Sequence, residues 1–147
     1  MDFTELISDF AVRHGIEGLV AEDGAAALDI DGIVVTLVAA GDAVSLSAEI
    51  GQPPAEGRSS FADLLLEANL QSDAFFAKAS ETETYIVVRR LALPSLDAAA
   101  FDTALEALVN QAETWRRLLA DFRPVAEAAA AEALEEPSFG AGGFVQV

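Results

Sequence analysis

Residues 25–50 read as three strand-length runs joined by two tight turns, and this fixes much of what the chain can become. Asp31-Gly32 separates Ala25–Ile30 from Ile33–Ala39. A two-residue Asp-Gly loop between apolar runs is a strong hairpin signal, because both loop residues must adopt positive φ. Gly41-Asp42 marks a second turn. Ala43–Ile50 then alternates Val44, Leu46, Ala48 and Ile50 with Ser45, Ser47 and Glu49, the period of a half-buried antiparallel strand. Ile33–Ala39 is apolar and rich in β-branched residues, which predicts a buried central strand. The three runs form a meander, so the domain needs helices to cover it.

Helical signals lie on both sides. Phe3, Leu6, Ile7 and Phe10 recur at helical spacing after Asp2, an N-cap with Glu5 three residues on, and Gly15 is placed to end that helix. Gly51–Gly57 contains Pro53-Pro54 and reads as a loop. Ser59 or Ser60 is expected to cap a second helix carrying Phe61, Leu64, Leu65, Leu66, Ala68 and Leu70. These residues make it apolar around much of its circumference, so it should be buried on more than one side, the second cover being another subunit. Ala74–Ala79 and Thr84–Leu93 read as strands, the latter with Arg89 and Arg90 on opposite faces and Pro94 ending it. Asp97 caps a long helix whose apolar face is Phe101, Leu105, Leu108, Ala112, Trp115, Leu119 and Phe122. The order is α-β-β-β-α-β-β-α: an α+β fold in which helices pack a twisted antiparallel sheet. The expected organisation is one domain over 1–123, a helical extension over 124–134 and a flexible tail over 135–147.

Charge and missing motifs narrow the function. The chain has 25 acidic and 8 basic residues, a formal net charge of −17. Binding to nucleic acid needs clustered Lys and Arg, so this balance speaks against it, and equally against anionic membranes. It suits electrostatic capture of a basic partner. The absence of cysteine excludes disulfides and thiolate metal sites and fits a reducing compartment. Met1-Asp2-Phe3-Thr4-Glu5 lacks the basic start of a secretory signal, and the longest apolar run, Ile33–Ala40, is too short for a membrane helix. These readings predict a cytoplasmic protein with no membrane insertion.

His14 is the only histidine, and no Gly-x-Ser-x-Gly elbow accompanies it. At a helix end it is better suited to meeting terminal carbonyls than to catalysis. Asp29 and Asp31 look like the start of a calcium loop, but the later ligands do not follow at the required spacing, which leaves the hairpin turn. No phosphate-binding glycine loop occurs. The expectation is no enzyme, no cofactor and no metal.

Several segments resemble the class I type III secretion chaperones, the Tir chaperone (CesT-like) family. They are Tyr85–Pro94, the following Leu96-Asp97, the helix through Ala107-Leu108-Val109-Asn110-Gln111-Ala112-Glu113-Thr114-Trp115, and Phe61–Asn69 as the second helix. The ending Phe144-Val145-Gln146-Val147 resembles hydrophobic tails of some relatives. The resemblance implies a homodimeric bacterial cytoplasmic chaperone. Such a protein binds the N-terminal region of a secreted effector or translocator and keeps it export-competent without ATP. The client lies extended in hydrophobic grooves and often adds a strand to the chaperone's sheet.

By position, the resemblance places Phe61, Leu64, Leu65, Leu66, Asn69, Phe75 and Phe76 at the dimer interface. Phe3, Leu6, Ile7 and Phe10, with Val44, Leu46 and Ala48 on the sheet, are candidates for partner grooves; core packing is the alternative for each. Two other functions stay open: a chaperone-fold regulatory protein that sequesters a partner, and a small ligand-binding domain or enzyme.

Overall fold

The computed structural model describes residues 1–123; the expected extension and tail over 124–147 lie outside them. The elements are α1 (Phe3–His14), β1 (Ala25–Ile30), β2 (Ile33–Ala40), β3 (Ala43–Gly51), α2 (Arg58–Ala68), β4 (Phe75–Ala79), β5 (Thr84–Ala92), a single 3-10 turn at Leu93–Ser95, and α3 (Ala98–Ala120). The fold is α+β, and the element order agrees with the sequence reading. The five strands form one antiparallel sheet in the order β1-β2-β3-β5-β4.

Local chemistry accounts for the boundaries. Asp2 and Glu5 cap α1 reciprocally, and Gly15 closes it in the left-handed conformation. Asp31 and Gly32 both have positive φ, as a tight hairpin loop requires, and the Asp29 carboxylate accepts the Gly32 N–H at 2.9 Å. Asp97 accepts the Ala100 N–H and starts α3. One boundary differs from expectation. α2 begins at Arg58 behind Gly57, and no side chain caps it; Ser59 and Ser60 lie inside the helix.

α3 crosses the sheet over β2, β3 and β5, α1 packs against α3, and α2 lies against β4. The core forms between the helices and one sheet face, from Val35, Leu37, Val44, Leu46 and Val87 on strands and Phe101, Leu105 and Leu108 on α3. An aromatic cluster closes the other end: Phe61 of α2 meets Tyr85, Trp115 and Phe122. β2 is not buried on both sides as its apolar composition suggested. Its burial alternates strictly, and Val34 and Val38 point outward, half exposed, because no helix among the described residues covers that face. Near the end of β3 the ladder to β5 is irregular, and Gly51 sits there at φ 149°. A Cβ on Gly51 would come within 2.9 Å of the Leu119 side-chain tip, so the bare backbone leaves room for that leucine of α3.

Candidate functional site

β1 is an edge strand. The closing pair of its hairpin, Ile30 and Ile33, is hydrogen-bonded, and antiparallel pairing then alternates along the strand. Ala26, Leu28 and Ile30 therefore bond to β2, while the backbone groups of Ala25, Ala27 and Asp29 point away from the sheet. Ala25 exchanges hydrogen bonds with Glu22 in both directions. Ala27 and Asp29 have no such partner among the described residues, so the edge offers two N–H donors and two carbonyl acceptors.

A groove of about 670 Å3 runs beside this edge, between the end of α1, β1 and the first half of α3. Its apolar lining comes from Phe10 and Ile16, Leu28 and Ile30, and Leu105 and Val109. Its polar margin holds Asp29 and Asp31 from the β1–β2 hairpin and Asp102 and Glu106 from α3, one helical turn apart. Arg13 anchors one end: its guanidinium bonds both Asp102 oxygens, at 2.6 and 3.0 Å, and Asp9 at 2.7 Å. His14 does not meet terminal carbonyls. Its Nε2 lies 3.1 Å from Asp102, and its ring packs on Phe10 at 4.3 Å.

The hydrogen bonds from Arg13 hold the Asp102 carboxyl below its ordinary pKa, against the opposing effect of partial burial, and the bond to His14 acts in the same direction. The same pairing raises Arg13 further above its usual value. A carboxyl with a depressed folded-state pKa contributes stability that is fully present above its unfolded value, about 3.9. That contribution is lost as pH falls through the folded value. Asp102→Asn is therefore expected to lower the thermal midpoint at pH 7, and the gap to the parent should close below about pH 4. A gap that stays constant across an acid titration followed by circular dichroism would contradict this account.

A second apolar surface lies at the opposite edge. A shallow groove of about 250 Å3 runs between α2 and β4, lined by Ala62, Leu65, Leu66, Phe76, Ala77 and Tyr85 among others. Leu64, Leu66 and Leu70 are 44%, 63% and 88% exposed. Phe75 is half-buried, with Arg90 over its ring at 5.5 Å. Arg89, on the other face of β5, reaches Asp73 at 3.5 Å.

The residues singled out from the sequence divide clearly. Phe3, Leu6, Ile7 and Phe10 are buried, as are Val44, Leu46 and Ala48. They build the core, because the α1 stripe and the inward face of β3 point at each other's layer. Of the α1 set only Phe10 also lines the β1 groove, and Ala48 borders a hollow of about 620 Å3 on the outer side of the sheet, together with Val34, Thr36 and Ile86. In the second set, Phe61, Leu65 and Phe76 are buried within the chain, while Leu64 and Leu66 are exposed. Asn69 ties the end of α2 to β4, since its side-chain amide accepts the Phe76 N–H at 2.6 Å and donates to the Phe76 carbonyl. Ile16, Ile30 and Glu106 were not singled out. They lie far apart in sequence, and the Asp102–Glu106 spacing beside the apolar stripe of α3 is the one signal that marked their surface.

A helix-covered antiparallel sheet of this order is the fold of the type III secretion chaperones. A chain of the ExsC–ExsE complex is 25% identical to this one, with a TM-score of 0.70 over 81% of this chain and 97% of that chain. A chain of the HopA1–SchA chaperone–effector complex is 16% identical, with a TM-score of 0.68 over 78% and 93%. A chain from the complex of the Yersinia pestis type III secretion chaperone SycH with a stable fragment of YscM2 is 22% identical, with a TM-score of 0.63 over 78% and 99%. The model of the Tir chaperone protein (CesT) family matches residues 5–116, and the chain belongs to that family. No curated protein matches it in sequence. Among the described residues no helix is long and apolar enough to cross a membrane.

Proposed function

We propose that this chain is a cytoplasmic type III secretion chaperone. It binds the N-terminal region of a secreted effector or translocator in extended form and keeps it export-competent without ATP or catalysis. The observation that carries this reading is the β1 edge, unpaired at Ala27 and Asp29 among the described residues, beside an apolar groove. Strand addition there supplies main-chain hydrogen bonds at Ala27 and Asp29, while the groove receives alternate side chains. Chains of the same fold have been solved in complexes, including the chaperone–effector pair HopA1–SchA, which supports the same use of this fold. The exposed leucines at the end of α2 form the contact between two copies, so that a dimer presents two β1 edges to one client.

Co-expression tests the reading. The protein is expressed with the N-terminal segment of a secreted protein encoded beside it and purified by a tag on the client. A stoichiometric complex that survives gel filtration is expected, with the client segment protease-sensitive outside the bound stretch. If the segment elutes alone or aggregates in the presence of excess chain, the chaperone reading fails.

A further inference from the structure

Building on that reading, we infer that the β1 groove selects client segments in which lysine or arginine alternates with apolar side chains. Three carboxylates on its margin, Asp29, Asp31 and Glu106, make no ion pair among the described residues; Asp102 is already matched by Arg13. Among the described residues no Lys or Arg lines the groove, Arg13 at its end being taken up by Asp9 and Asp102, and residues 124–147 contain neither. A segment laid over this margin strips water from the carboxylates, which is costly unless it brings opposite charge. Apolar side chains of the segment face Ile16, Ile30 and Val109, and long basic side chains keep their stems on that surface while their heads reach the margin.

Charge also separates the possible occupants. The chain's own 124–147 carries Glu127, Glu132, Glu135 and Glu136, and a second copy brings another net charge of −17. Either would set like charges together. A basic client segment is the occupant that matches, and its capture is steered by the same field.

The test uses three fluorescein-labelled 14-residue peptides with one alternating apolar pattern, their interleaved positions filled with Lys, Ser or Glu. Affinities are read by fluorescence anisotropy on the full chain at 150 mM NaCl. The Lys peptide is expected to bind about tenfold more tightly than the Ser peptide, the Glu peptide more weakly than both, and the difference should shrink in 0.5 M salt. Asp29→Asn, Asp31→Asn and Glu106→Gln together should bring the Lys and Ser peptides within about twofold of each other. The amides preserve the acceptor that holds Gly32. A control with Glu56→Gln, Glu81→Gln and Glu83→Gln removes the same charge elsewhere and should retain the preference.

Equal affinity for the Lys and Ser peptides, or equal loss in the control, overturns the charge selection. If those equal affinities both vanish in Ile30→Glu, the groove holds clients without reading charge, and the chaperone function stands. If no peptide binds while the co-expressed complex forms, the groove is not the client site.

Discussion

Phe61→Ala is expected to destabilise the chain by about 3–5 kcal/mol, the cost typical of removing a fully buried aromatic ring. Phe61 has no exposed surface and joins three elements. Its ring stacks on Tyr85 of β5 at 5.6 Å and meets Trp115 and Phe122 edge-on at 5.9 and 5.2 Å. Edge-to-face pairs add to area burial, and these partners come from the sheet, from α3 and from the residues just after it, so the cavity cannot collapse by moving one side chain. Domains of this size are stable by roughly 5–15 kcal/mol, so the loss takes a large share of the total. Urea unfolding measures it directly. Phe61→Leu should recover part of the loss by refilling the site. A shift of the alanine variant below about 1 kcal/mol would mean that α2 does not anchor the fold through this ring.

The second large effect concerns assembly. Leu66→Asp with Leu70→Asp should convert the proposed dimer to monomers of 15.4 kDa. Both side chains stand in solvent in the single chain, so charging them should leave its circular dichroism intact. Burying a leucine is worth about 1.5–3 kcal/mol, so the double change weakens association by roughly a hundredfold or more. Leu65 would be a poor probe, because it is buried and a charge there unfolds the chain. Light scattering decides the matter. An unchanged dimer mass in the double variant, or a monomeric parent, would remove α2 from the interface.

Local chemistry is written plainly in this sequence, and long-range pairing is not. Asp31-Gly32 and Gly41-Asp42 announce the meander because each turn is decided by its own residues. The stripe from Phe101 to Ala112 identifies the buried face of α3 for the same reason. That β5, and not β4, pairs with β3 depends on a connection through α2, and no local pattern encodes it. Periodicity also marks which residues of an element are apolar without naming what faces them. This is why Phe3, Leu6, Val44 and Leu46 looked equally suited to a partner and to the core that they in fact form. The β1 groove was least legible, since Ile16, Ile30 and Glu106 converge only after three elements have docked.

The β1 edge, unpaired at Ala27 and Asp29 among the described residues, has a consequence for the chain before it meets any partner. A sheet edge with free backbone groups is a template that any extended segment can join, including the same edge of another copy, and such pairing propagates into aggregates. Here two β1 strands approaching antiparallel would bring Asp29 and Asp31 of each copy beside the partner strand, with Glu22 and Asp23 flanking the other end. Like charges opposed across a new ladder are unfavourable. On the proposed reading, the edge that welcomes a basic segment repels its own twin, so like charge works against edge-to-edge polymerisation of the unloaded protein.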